Sequence, residues 1–223
     1  MNFGQMSNNV VANLGLQDID SYDETSMVAM WLNQAVLDLL SRTRLVVRCV
    51  NMTTQNGVDT YTLDHKILSI VDSDNALPPG RRYRAARNEN TAVDPAFRLI
   101  RSDVLQIVPT PSEDGQTVQI WAVLQPQPMA NPNDDPQLEQ FGAIPPEFHD
   151  VLITYALWKC ADYVDDGSSQ SGDRYRILYE GADGRGGRLA QIRMLVNKRG
   201  TGIPVRRRVR LPGMSYSGYY AGG

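Results

Sequence analysis

Apolar and polar positions change period along the chain, and each change marks an element. Residues 1–19 are rich in Asn, Gln and Ser. Only a few apolar points such as Leu14, Leu16 and Ile19 interrupt them, so the segment reads as a flexible arm. From about Asp23 to Arg44 the period is that of a helix. Trp31, Leu32, Ala35, Val36, Leu39 and Leu40 recur three and four residues apart, with Asp38, Ser41 and Arg42 on the other side. Ser21, Asp23 and Thr25 are suitable N-caps, and Arg42 and Arg44 suit the negative end of the helix dipole. From Leu45 to Leu124 the period falls to two. Short apolar runs at 46–50, 61–63, 67–71, 97–101, 104–108 and 117–124 are separated by turn signals such as Asn56-Gly57, Pro78-Pro79-Gly80 and the Pro109–Gly115 stretch. They predict an antiparallel β unit inserted after the first helix.

Residues 125–144 are a linker, since Pro126, Pro128, Pro132 and Pro136 oppose regular structure. A second helix starts at Ile144-Pro145-Pro146-Glu147, where proline fits the first turn. Phe148, Val151, Leu152, Tyr155, Trp158, Cys160 and Val164 supply its apolar positions. A third helix begins near Ser171 or Asp173, with Tyr175, Leu178, Tyr179 and Ala182 assigned to one face. Gly181, Gly184, Gly186 and Gly187 predict a break or hinge before Leu189, Ile192, Leu195 and Val196. Each glycine costs about 1 kcal/mol inside a helix. The resulting plan is α+β: a small helical bundle with an inserted antiparallel β unit and extended N- and C-terminal arms. Its parts are an N-terminal arm (1–22), the bundle (23–45 and 144–199), the β insert (46–124), a Pro-rich linker (125–143) and a basic C-terminal arm (200–223).

Charge sharpens this plan. The chain carries 22 basic and 25 acidic residues, a formal charge of -3. The last acid is Asp183. Residues 184–223 hold nine basic groups and no acid, so the body stands at -12 and the tail at +9. Such an asymmetry concerns partners more than fold.

Chemistry is sparse. Cys49 and Cys160 fit no metal spacing and read as two buried thiols. His65 and His149 are the only histidines, too few for a zinc site, and no phosphate-binding loop or nucleophile motif occurs. His149 with Asp150 at a helix start lacks a nucleophile and reads as a histidine facing solvent or an interface. Asp162, Asp165 and Asp166 lack the calcium-loop pattern and read as a solvated acidic corner. Asp173 and Glu180 suit pairing with arginines across a subunit interface. No catalytic residue, metal or cofactor is expected, and the apolar runs are too short for a transmembrane helix.

The segment Ile144-Pro145-Pro146-Glu147-Phe148-His149-Asp150 through Leu157 resembles the helix start of tailed-bacteriophage head-to-tail connector (adaptor) proteins. So do the hairpin 103–123, with its Pro109-Thr110-Pro111 turn, and the first-helix run Trp31-Leu32-Asn33-Gln34-Ala35. The likeness spans roughly residues 23–199. It implies a non-enzymatic virion protein forming a ring, expected as a dodecamer, between the portal and the tail or next neck protein. Double-stranded DNA would pass through the lumen without sequence reading, and no membrane is involved. The glycine cluster departs from the usual last helix of that family.

On this reading Trp31, Leu39, Phe148, Leu152, Tyr155 and Trp158 pack the helical bundle. Arg81, Arg82, Arg84 and Arg87 line the lumen or a subunit interface, or form an exposed loop. The tail is assigned as a portal- or partner-binding arm through Arg199, Pro204, Arg206, Arg207, Arg208, Arg210, Leu211, Tyr216, Tyr219 and Tyr220. Val209 and Leu211 alternate with Arg208 and Arg210, which suits an added strand, and the tyrosines suit interface anchors. A nucleic-acid-binding module using the same arginines, or another neck protein such as a stopper or tail terminator, is the alternative.

Overall fold

The computed structural model describes residues 1–15, 22–75, 84–85, 96–164, 170–182 and 185–199. Its elements run α1 (Phe3–Leu14), α2 (Tyr22–Thr43), β1 (Arg48–Thr53), β2 (Thr60–Thr62), β3 (Ile67–Asn75), β4 (Arg84–Ala85), β5 (Ala96–Arg101), β6 (Val104–Val108), β7 (Thr117–Leu124), α3 (His149–Val164), α4 (Gln170–Glu180), β8 (Gly181–Ala182), β9 (Arg185–Gly186) and α5 (Arg188–Arg199). The α+β class is as the sequence predicts.

The amino-terminal segment departs from expectation. Residues 3–14 are a helix of the bundle and not a flexible arm. Asn2 and Gln5 form a reciprocal capping box, with bonds of 2.9 and 3.0 Å, and left-handed Gly15 ends the helix. Phe3, Met6 and Val10 are buried at helical spacing. The proline-rich linker holds this helix down. Phe3 and Gly4 amides donate to the carbonyls of Asp134 and Pro132 at 2.7 and 2.9 Å. A Cβ at Gly4 would lie 3.0 Å from the Pro132 ring, so a larger residue there would have to push the linker back by a few tenths of an ångström. The linker is itself braced. The Asp134 carboxylate accepts from the Ala130 and Asn131 amides, and those bonds hold its pKa below the ordinary carboxylate value.

Helix α2 buries Leu32, Ala35, Val36, Leu39 and Leu40 of the stripe read from the sequence; Trp31 is half-buried, and Val28, outside that stripe, is buried as well. Full burial of each Leu or Val stabilises by roughly 1.5–3 kcal/mol. Asn33 on its flank clips the linker, accepting from the Met129 amide at 2.8 Å and donating to the Met129 carbonyl at 3.0 Å. The run 31–35 therefore joins two jobs, core packing by Leu32 and Ala35 and linker anchoring by Asn33. Past Thr43 the chain turns through a left-handed Arg44, whose amide still reaches the Leu40 carbonyl.

The β unit holds two sheets, ordered β1-β7-β3 and β2-β6-β5-β4. Pairing is antiparallel, except that the two-residue β4 runs parallel to β5. Phe97 sits opposite Ile107, and Leu99 opposite Leu105. Strand β7 is shared between two cores. Val118, Ile120 and Ala122 face the β core, whereas Val123 joins the helical core. Alternation along one strand thus couples the β unit to the bundle. Cys49 lies exposed on the outer face of edge strand β1, a correction to the expected buried thiol, while Cys160 is buried and its thiol pKa is raised to about 12 by desolvation.

Helix α3 fills the middle of the bundle. The glycine cluster predicted as a break is one: α4 ends at Glu180, and the β8–β9 pair reverses the chain into α5. Gly187 sits where the crossing is tightest. A Cβ there would fall 2.5 Å from the Tyr179 carbonyl oxygen and the Gly181 amide.

Candidate partner-binding surface

The bundle residues singled out from the sequence come together. Leu39, Phe148, Leu152 and Tyr155 are buried in one core, with Trp31 and Trp158 half-buried at its edge. Tyr155 meets the Trp158 and Tyr179 rings edge-on, at centroid distances of 5.6 and 5.2 Å. Lys159 Nζ sits 3.8 Å over the Trp158 ring, a cation–π contact at the rim.

A polar chain ties α2 to α4 and α5 beside these rings. Tyr179, 1% exposed, donates its hydroxyl to Asp38 Oδ2 at 2.6 Å. Arg42 reaches Glu180 at 2.8 Å and Asp38 at 3.5 Å, and its carbonyl accepts from Arg193 Nε at 2.9 Å. Burial and the Asp38 charge push the Tyr155 phenol up to about 12 and raise that of Tyr179 further, so neither ionises near neutral pH. Glu180 and Asp173, expected to pair with arginines across a subunit interface, pair within the single chain with Arg42 and Arg176.

His149 is a second correction. It is fully buried rather than facing solvent or an interface. Its Nε2 lies 3.1 Å from the Ile144 carbonyl, and Nδ1 lies 3.0 Å from the Met1 amine. A carbonyl only accepts and an ammonium only donates, so the ring is neutral with its proton on Nε2. Burial lowers its pKa below the ordinary value.

Other assigned residues are not brought together. Arg81, Arg82 and Arg87 lie outside the described residues, and Arg84 is placed only as the first residue of β4. Arg199 ends α5. Pro204, Arg206, Arg207, Arg208, Arg210, Leu211, Tyr216, Tyr219 and Tyr220 lie outside the described residues, as do Asp165 and Asp166. Among the described residues no group of three or more His, Cys, Asp or Glu is placed to hold a metal ion. No helix among them is long and apolar enough to cross a membrane.

The surface that does form is a groove of about 700 Å³ between α4, α5 and the start of α3, closed at one end by β8–β9. Phe148, Val151 and Ile192 make its buried floor. Ile177 and Leu178 rise on one wall and Leu195 on the other, 45%, 45% and 41% exposed. Glu147 and Asp150 border it, and Asp150 pairs with Arg188 across its end. The sequence reading placed Leu178 with Tyr179 on a single packed face; only Tyr179 is buried. The runs Ile177-Leu178-Tyr179 and Met194-Leu195-Val196 held the missed signal. Three successive apolar residues span about 200° of a helix at about 100° per residue, more than one neighbour covers.

No curated protein matches the chain in sequence. A family model described as SU10 adaptor protein matches residues 1–207. That match takes in α1 to α5 and the β unit between them, and it reaches into the basic segment beyond Arg199. By this match across nearly its whole length, the chain belongs to the SU10 adaptor protein family of phage adaptor proteins.

Proposed function

We propose that this adaptor assembles as a ring between the portal and the tail or next neck protein, with DNA passing through its lumen. Family membership assigns a structural role in the phage virion. The observation that carries the finer reading is the family match together with the charge split of the chain, a -12 body and a +9 tail. A basic arm with alternating apolar residues gains charge-assisted hydrogen bonds and strand-like contacts on an acidic partner, and these offset the entropy of ordering it. Many copies in a ring let each contact be weak. The bundle supplies a rigid base for this arm, because α5 is packed through Leu189, Ile192 and Val196.

The test is co-sedimentation of purified protein with portal rings, full length against a chain ended at Gly200. The full-length protein is expected to bind as a ring visible in electron micrographs, and the truncated one to bind at least tenfold more weakly. Equal binding by both overturns the arm assignment. Strong, salt-sensitive retention of duplex DNA by the free subunit, lost on truncation and unaccompanied by portal binding, favours the nucleic-acid-binding alternative.

A further inference from the structure

We propose that Asn56 is a site of spontaneous modification through a succinimide, held in check by the loop that faces it. Two loops meet at one tip of the β unit, 54–59 between β1 and β2 and 109–116 between β6 and β7. Each carries a short side chain with a carbonyl carbon followed by glycine, Asn56-Gly57 in one and Asp114-Gly115 in the other. Asn56 and Asp114 are exposed. Gly57 and Gly115 have φ of 76° and 77°, and a Cβ on either would meet nothing within 4 Å. With no side chain of its own, a glycine leaves its amide nitrogen open to the carbonyl carbon of the preceding side chain. Asn56-Gly57 is the only Asn-Gly pair in the chain.

The reaction needs no partner but water. The Gly57 nitrogen attacks Asn56 Cγ, so the N–Cγ bond forms and the Cγ–Nδ2 bond breaks. The proton of the Gly57 amide leaves with the departing nitrogen as ammonia. Water then opens the ring at one carbonyl or the other, and position 56 becomes aspartate or isoaspartate. Asn56 leads Asp114 in this chemistry, because a carboxylate must first take up a proton.

The folded tip opposes the first bond. The Gly57 amide donates to the Pro111 carbonyl at 2.9 Å, and the Gly115 amide donates to the Thr54 carbonyl at 2.9 Å. Each loop therefore holds the attacking nitrogen of the other. A third tie runs from the Asn56 amide to Asp114 Oδ1 at 2.7 Å. Attack requires the Gly57 N–H to leave Pro111, so local opening of the tip comes first. The ties do not simply re-form afterwards. The two loops hold Asp59, Glu113 and Asp114 and no Lys or Arg, and the reaction adds a carboxylate beside Asp114. Isoaspartate also adds one backbone atom before Gly57, which displaces its amide from Pro111. One event at Asn56 thus loosens both loops. This inference stands on the fold and does not depend on the adaptor reading.

The test is peptide mapping by mass spectrometry of the full chain, aged in mildly alkaline buffer either folded or in guanidinium chloride. In the unfolded chain Asn56 is expected to convert ahead of every other asparagine. In the folded chain its conversion should be at least about tenfold slower, as the loss of one or two hydrogen bonds on opening requires. Asp114→Ala removes one tie at an exposed position, so the fold is retained. It should speed conversion of Asn56 at least about threefold in the folded chain and leave the unfolded rate unchanged. Equal rates in the folded and unfolded parent overturn the proposal, as does an unfolded chain in which Asn56 stays intact. A folded Asp114→Ala chain no faster than the parent overturns it too.

Discussion

The two helix pairs of the bundle treat their apolar residues differently. Between α2 and α3, Leu32, Leu39, Leu40, Val151 and Leu152 all lie below 4% exposure. Between α4 and α5, Tyr179, Leu189, Ile192 and Val196 are buried, but Ile177, Leu178, Met194 and Leu195 stand 41–56% exposed. The second pair is the more polar in sequence and still leaves more large apolar side chains in water. Scattered exposed leucines need no explanation, but Ile177, Leu178 and Leu195 line one groove. One pair buries its large apolar residues almost completely, and the other leaves several of them along an open surface.

The sharpest way to break this comparison is to cut equally into both sides. Leu39→Ala, in the buried pair, should destabilise by about 2–5 kcal/mol, from lost transfer energy plus a cavity. Urea unfolding measures it, and a cost below about 1 kcal/mol would mean that α2 and α3 are not the stability core.

A smaller effect is expected at the joint between the pairs. Tyr179→Phe keeps the packed ring and removes the hydroxyl bound to Asp38 at 2.6 Å. A hydrogen bond to a charged group contributes about 1.5–3 kcal/mol. The same denaturation should show a loss in that range, with Tyr155→Phe as the comparison in the same ring cluster. Equal small losses in both would detach the Asp38 chain from stability.

Acid should weaken the subunit through His149. Its folded pKa is lowered, first by burial, so the unfolded chain takes up the proton at higher pH than the folded one does. The stability tied to a neutral His149 is fully present above the ordinary value near 6.5 and is lost as pH falls below it. Melting temperature followed from pH 8 to 5 should drop on the acid side, and His149→Gln should flatten that part of the curve. An unchanged slope would remove His149 as its source.

Much of this architecture was legible because period and burial agree. The stripe Leu32, Val36, Leu39 and the strand runs from Arg48 to Leu124 each carry one dominant period, and a single face takes the core. The glycine break was legible too, since helix interiors penalise glycine. The helix at 3–14 was missed because Phe3, Met6 and Val10 are diluted by Asn, Gln and Ser, and its stability comes from linker carbonyls more than a hundred residues away. His149 was misread for the same reason: Ile144 is near in sequence, but Met1 closes the site from the other end of the chain. The groove escaped because two helices share their excess apolar residues with a space, which no single periodicity describes.

The smallest expected effect is the most discriminating for the exposed pair. Leu178→Ser removes a side chain that already meets water, so stability should change by no more than about 0.5 kcal/mol. Its neighbour Tyr179 remains buried, and the backbone of α4 is undisturbed. If the groove serves only to bury a little surface within the free fold, Leu178→Ser should resemble any exposed substitution in every assay. If it seats a partner, the variant should melt like the parent yet lose that contact, read as weaker co-sedimentation with portal rings. Normal stability with weakened binding separates a binding surface from a core, and a parallel loss of both would return α4 and α5 to the same class as α2 and α3.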